Sequence, residues 1–231
     1  MIFYFAIPLT LLLYWLTRQL YRFKPWPFIN PVLLPMFVIM AVIVLSGSAL
    51  QDYQAGAHPI HLLLEPAVVA LAIPLYQQIG QIRARLKPIL LGCSLSVLIS
   101  VGLTLITCSL VPTAPEIVSS IATRSITTPL AMSVSSSLGG VAAIAAAIVV
   151  LVGILGAVIG FPLLRLFRVT DPQAQGLAIG ACSHAVGTAA AAERGTTQGA
   201  FSSLAMVVCG VLTAILAPVL FALYHWISQH L

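Results

Sequence analysis

The chain has 231 residues, of which 60% are hydrophobic and only 6% charged, with a mean hydropathy of +1.10. A water-facing domain carries roughly 25% charged residues, so this composition excludes an ordinary soluble enzyme and implies lipid as the solvent. The net charge of +5 does not point to nucleic acid, because the basic residues form short clusters between apolar runs, where they set membrane orientation.

Taken in chain order, apolar stretches fall at 2–17, 31–50, 62–80, 88–111, 141–164 and 201–227. The first is followed, not preceded, by Arg18, Arg22 and Lys24. That polarity suits a spanning helix better than a secretory signal. Two further basic groups, Arg83/Arg85/Lys87 and Arg165/Arg168, follow the third and fifth stretches. All three clusters share the cytoplasmic side if spans two and three, and then four and five, cross in pairs. Both termini then lie outside the cytoplasm, residues 112–140 begin and end outside, and residues 169–200 begin and end inside. The expected architecture is all-α and polytopic: about six transmembrane helices plus two re-entrant or broken segments.

Those two segments are the stretches SITTPLAMSVSSSLGG (125–140) and GLAIGACSHAVGTAAAAERG (176–195). Rich in Ala, Gly, Ser and Thr and almost uncharged, they are unlike water-exposed loops and suit broken helices packed inside protein at membrane depth. They also resemble each other. Pro115 pairs with Pro172 at a spacing of 57, Ser125 and Ala131 with Ser183 and Ala189 at 58, and the Gly153–Ala157 stretch with Gly210–Ala214 at 57. Units 112–168 and 169–227 therefore read as an inverted repeat behind an N-terminal part, 1–111, of four spans. Such repeats build many secondary transporters, although Ala/Gly/Leu-rich spans also match by chance.

Ionisable groups near spans are the first candidates for chemistry. Glu65 lies near the outer end of the third span and reads either as a site carboxylate or as an interfacial one reached by water. Glu116 follows Pro115 and suits the first turn of a helix. Arg124, ahead of Ser125, Thr127, Thr128 and Pro129, suits anion binding at a helix start, or an anchor at the outer headgroups. Ser183, His184, Gly187 and Thr188 form a second polar group, in which imidazole offers a titratable site and glycine allows close approach. Glu193, beside Arg194, marks a membrane edge. The expected pocket joins Thr127–Pro129 to His184–Thr188 at the midplane, with hydroxyls and helix-start amides receiving a carboxylate and His184 carrying a coupled proton. Gly153, Gly156 and Gly160 offer a small-residue face for assembly of copies or partners, or for packing within one chain.

Cys93, Cys108, Cys182 and Cys209 are isolated and read as packing residues. His58 and His61 lack a third ligand, so no metal site is expected, and no cofactor or enzyme motif is present.

With these residues in view the chain resembles the LrgB/CidB/YohK family, and its YohK-like members in particular, along nearly its whole length. The resemblance is carried by 63–85, RSITTPLAM (124–132), VLVGILGAVIG (150–160), 176–193 and GAFSSLAM (199–206). It implies a single LrgB-like domain over 1–231 in a bacterial inner membrane, working with a small LrgA/CidA/YohJ-type membrane protein. Family members have been described as holin/antiholin-like modulators of murein hydrolase export and autolysis, and as carriers of small carboxylates. The plant plastid glycolate/glycerate transporter contains an LrgB-like part, and some bacterial pairs are linked to pyruvate uptake. One departure stands out: a basic residue often follows the Gly-Thr-Ala triplet in the family, and here that position is Ala190. Three functions follow as expectations: transport of a small organic anion, a holin-like pore or regulator, and a scaffolding subunit.

Overall fold

The computed structural model describes residues 2–23, 33–63, 66, 69–70, 72–111 and 113–230. Glu65 and Lys24 lie outside the described residues. The chain divides into two compact units, 1–70 and 71–231, and the described residues are almost wholly helical.

The first unit holds α1 (Ile2–Phe23), α2 (Leu33–Leu45) and α3 (Leu50–Leu62). The third helix falls between the second and third apolar stretches of the sequence. Asp52 in the first turn and Pro59 inside the helix depress its apparent propensity, but tertiary packing holds it. A methyl at Gly56 would strike the Phe3 carbonyl, so glycine lets α3 lie directly on the α1 backbone. Thr10 and Tyr53 then join across the contact by a 2.8 Å hydroxyl hydrogen bond. Ile2, Ile39 and Ile43 form the small core beside it.

The second unit begins with two short helices, α4 (Ala72–Gln77) and α5 (Ile79–Ala84), broken at Gln78. Three helices follow that are long and apolar enough to cross a membrane: α6 (Leu86–Leu110), α9 (Ala142–Leu166) and α11 (Thr196–His230, apolar over 196–224). They coincide with the fourth, fifth and sixth apolar stretches of the sequence. Twenty-five residues at 1.5 Å each make roughly 37 Å, enough for a hydrocarbon core of about 30 Å. Their outer faces carry exposed Leu91, Ile106, Val150, Leu151, Val211 and Ile215, as lipid contact requires.

Between these rods lie two helical hairpins. In the first, α7 (Pro115–Ala122) and α8 (Thr128–Ser137) run antiparallel. Ser119 Oγ donates to the Leu138 carbonyl at 2.9 Å, Ser120 Oγ accepts from the Val141 amide at 2.8 Å, and Thr123 Oγ1 donates to the Ala131 carbonyl at 3.4 Å. Buried hydroxyls thus satisfy the backbone groups that helix ends leave open. The second hairpin is one helix by its span, α10 (Pro172–Arg194), interrupted at His184 with φ 40 and ψ −137. The chain doubles back there. A Cβ at Gly187 would sit 3.0 Å from Ile179 Cγ2, and Ile179 shares a core with Ala191 and Phe161. Residues eight and twelve apart on a straight helix stand roughly 12 and 18 Å apart.

Both arms of this second hairpin lie along the first turns of α11. Gly176 and Gly180 face Gln198 and Ser202 in parallel, whereas Ala192 faces Gly199 and Thr188 binds Ser202 in the antiparallel sense. The hairpins start from opposite ends of the unit. The first joins α6 and α9 at their Leu110 and Ala142 ends. The base of the second meets the other end, where Arg85 reaches Asp171 at 4.0 Å, Gln173 donates to Gln81 at 2.7 Å, and the Arg194 guanidinium lies over the Phe161 ring at 4.0 Å.

Gly153, Gly156 and Gly160, expected on one reading to serve assembly, are used inside the chain. A methyl at each would collide with His184, Ser183 and Ile179 of the second hairpin respectively. Without side chains, α9 admits that arm at near-backbone distance.

Candidate functional site

Each hairpin arm is 8 to 12 residues long, or roughly 12–18 Å. Starting from opposite ends of rods some 37 Å long, their tips reach the middle. There they meet the same stretch of α9. Ile126 shares a buried core with Val149, and His184 Nε2 lies 2.8 Å from the Val149 carbonyl oxygen.

Beside this meeting point is a cavity of about 600 Å³, bounded by Arg124 and Ser125 of the first tip and by Ala181 and Cys182 of the second. Ser96 and Ser100 of α6 and Val152 of α9 close two more sides. Ser125 and Ser100 share a hydroxyl hydrogen bond of 2.8 Å, which fixes the first tip to the middle of α6. Arg124 is half-buried. Among the described residues it makes no ion pair, whereas Arg85 reaches Asp171. An unpaired guanidinium in a mostly apolar cavity is costly. It also presents a planar fork of donors suited to a carboxylate.

The other predicted residues are distributed as follows. Thr127 precedes the first turn of α8, and Thr128 and Pro129 begin it, outside the cavity lining. Ser183 is buried against Gly156 and borders a second cavity of about 360 Å³, lined mainly by Val152, Leu155, Ile159 and Leu163. Gly187 packs on Ser183. Thr188 is fully buried, its hydroxyl 2.9 Å from that of Ser202, so its hydrogen bond is spent on joining hairpin to rod. His184 is 3% exposed and lines neither cavity. Its backbone lies in the region that glycine favours, at a typical cost of about 1–3 kcal/mol. Glu116 is exposed in the first turn of α7, fitting the helix-start reading, and Glu193 is exposed at the base of the second hairpin.

The sequence reading missed Ser96, Ser100 and Cys182. Serines on an apolar helix carry no motif, and only the neighbour of Ser183 and His184 in the same broken segment could have drawn attention to Cys182. At the polar end, Asp171 caps α10, accepting from the Gln173 and Ala174 amides at 2.7 and 3.0 Å. The Ala174 amide, then the Gln173 amide and Arg85, hold its carboxyl below the usual value against slight desolvation.

Apolar rods exposed on their outer faces, with paired hairpins and an Arg-bearing cavity between them, define a helical membrane protein. The chain belongs to the LrgB-like family, whose model matches residues 10–223. It is 37% identical over 221 residues to an uncharacterised protein of Haemophilus influenzae, covering 94% of both chains. It is 32% identical over 219 residues to the holin-like protein CidB of Staphylococcus aureus, covering 95% of this chain and 96% of that one. The uncharacterised protein YxaC of Bacillus subtilis is 35% identical over 219 residues, with 95% of each covered. No solved structure matches.

Proposed function

We propose that this chain is a transporter, or the larger subunit of one, for small monocarboxylates of the glycolate, glycerate or pyruvate kind. The observation that carries the reading is Arg124, a cation with no acidic partner among the described residues, in a cavity between two opposed hairpin tips. A substrate carboxylate supplies the missing charge, while Ser125 and Ser100 offer hydroxyls beside it. Hairpins that enter from opposite ends support the inverted-repeat reading, because moving either tip opens the cavity to a different side. In this reading both are re-entrant at membrane depth, Arg85 and Arg165 are cytoplasmic, and both termini are outside, in a bacterial inner membrane. The partner is a small CidA/LrgA/YohJ-type membrane protein, as the name of the CidB relative suggests.

That name also favours a second reading, a holin-like modulator of murein hydrolase export and autolysis. A pore formed by lateral assembly needs neither a solitary arginine nor paired tips. The experiment is uptake of radiolabelled glycolate and pyruvate by proteoliposomes holding the chain and its partner, with orientation fixed by cysteine labelling near Gln54 and Arg85. Saturable uptake competed by unlabelled monocarboxylate is expected. Release of entrapped solutes without chemical selectivity would overturn transport in favour of the pore.

A further inference from the structure

The second hairpin turns at His184, a residue poorly suited to the backbone it adopts. Its φ of 40 and ψ of −137 fall where glycine is the default, and glycine already stands at 176, 180 and 187 in the same segment. The imidazole accounts for the choice. A carbonyl only accepts, so Nε2 carries a proton and donates it to the Val149 oxygen 2.8 Å away on α9. The ring occupies the space that a side chain at position 153 would fill, since a Cβ built on Gly153 meets both Cε1 and Nε2. One turn along, Gly156 receives Ser183 in the same way. Residues immediately before this contact, Ala181 and Cys182, line the cavity.

From this geometry we infer that His184 is a positioning residue. Pinned by its hydrogen bond to Val149 and seated in the Gly153 slot, it holds the second tip at the place where Ala181 and Cys182 close the site opposite Arg124. The inference rests on the transport reading for what the site receives, but not for how the tip is held. It assigns to the ring a fixed N–H donor, in place of the coupled proton that its isolated pKa first suggested.

Hydrogen exchange of the purified, detergent-solubilised protein tests it. His184→Gly relaxes the backbone but removes the donor, and Gly153→Ala keeps the donor but fills its slot. Both are expected to speed exchange of amides 183–188 by about tenfold, the change that loss of one buried hydrogen bond brings to local opening. Exchange at 207–220 in α11 should stay unchanged. His184→Gln places an N–H near the position of Nε2 and is expected to return exchange to within about twofold of the parent. Slower or unaltered exchange in His184→Gly would overturn the pin, since glycine would then merely suit the turn better. If His184→Gly does not fold, the remaining pair decides. Gln like the parent with Gly153→Ala fast supports the pin, and Gln as fast as Gly153→Ala refutes it. A shifted pH profile of uptake in His184→Gln, with exchange unchanged, would also refute it, because the ring would then act by titrating. Failure of the parent to take up any monocarboxylate would end the transport reading and leave the exchange result intact.

Discussion

Replacing Arg124 with Gln should move stability and function in opposite directions. A charged side chain at the centre of a membrane helix costs about 2.5–3.5 kcal/mol. Arg124 is half-buried, so roughly 1.3–1.8 kcal/mol of that is the fitting share. With no acidic partner among the described residues, little Coulomb attraction from them offsets it. Gln removes the charge and keeps an amide donor, so melting in detergent should stay level or rise. Substrate binding should suffer, because a hydrogen bond to a charged group contributes about 1.5–3 kcal/mol. At 1.4 kcal/mol per decade, KM for uptake should rise about ten- to a hundredfold. Arg124→Lys, which keeps the charge and loses the fork, should fall between. The measurements are a substrate series in proteoliposomes and a thermal melt of the same preparations. A lower melting temperature with unchanged KM would refute the reasoning and return Arg124 to the role of a headgroup anchor.

Gly156→Leu should cost several kcal/mol, beyond the usual 1–3 kcal/mol of overpacking, because the first added carbon already falls on Ser183. The check is loss of the folded fraction in size-exclusion chromatography, and unchanged stability would contradict the close packing of α9 on the second hairpin. Asp171→Ala should lower stability by about 0.5–2 kcal/mol at most, toward the small end because the carboxylate is half-exposed. Since folding lowers the Asp171 pKa, its contribution is present above the unfolded value of about 3.9 and fades as pH falls through the folded one. Melting curves of parent and variant should therefore differ at neutral pH and converge in acid, and a gap that widens in acid would reverse the sign.

The helical class and the three long rods were legible in the sequence because apolar runs of such length have few other uses. The break in the second polar segment was legible in its Gly, Ala and Ser content, and it falls at His184. Its partners were harder to see. Nothing local says that Gly153, Gly156 and Gly160 receive His184, Ser183 and Ile179 rather than another chain, since close approach requires the same small residues in either case. Helix α3 was hidden by Asp52, His58 and Pro59, which imitate a loop unless Gly56 is seen lying on α1. Of the candidate site, Arg124 and Ser125 stand at the cavity, whereas the Thr188 hydroxyl is hydrogen-bonded to Ser202, a pairing that its sequence context does not announce. Pairings between residues far apart in the chain leave no local pattern.

Because both arms of α10 lie on the first turns of α11, one side of the cavity is made from neighbouring chain, 172–206. Contacts this local form quickly and with little loop-closure cost. That half packs as a piece onto α9, whose glycines at 153, 156 and 160 receive it. The seam between α9 and α10 is thus where the second tip is held beside the first. A lesion there would part the two tips even where the contacts of α10 with α11 survive.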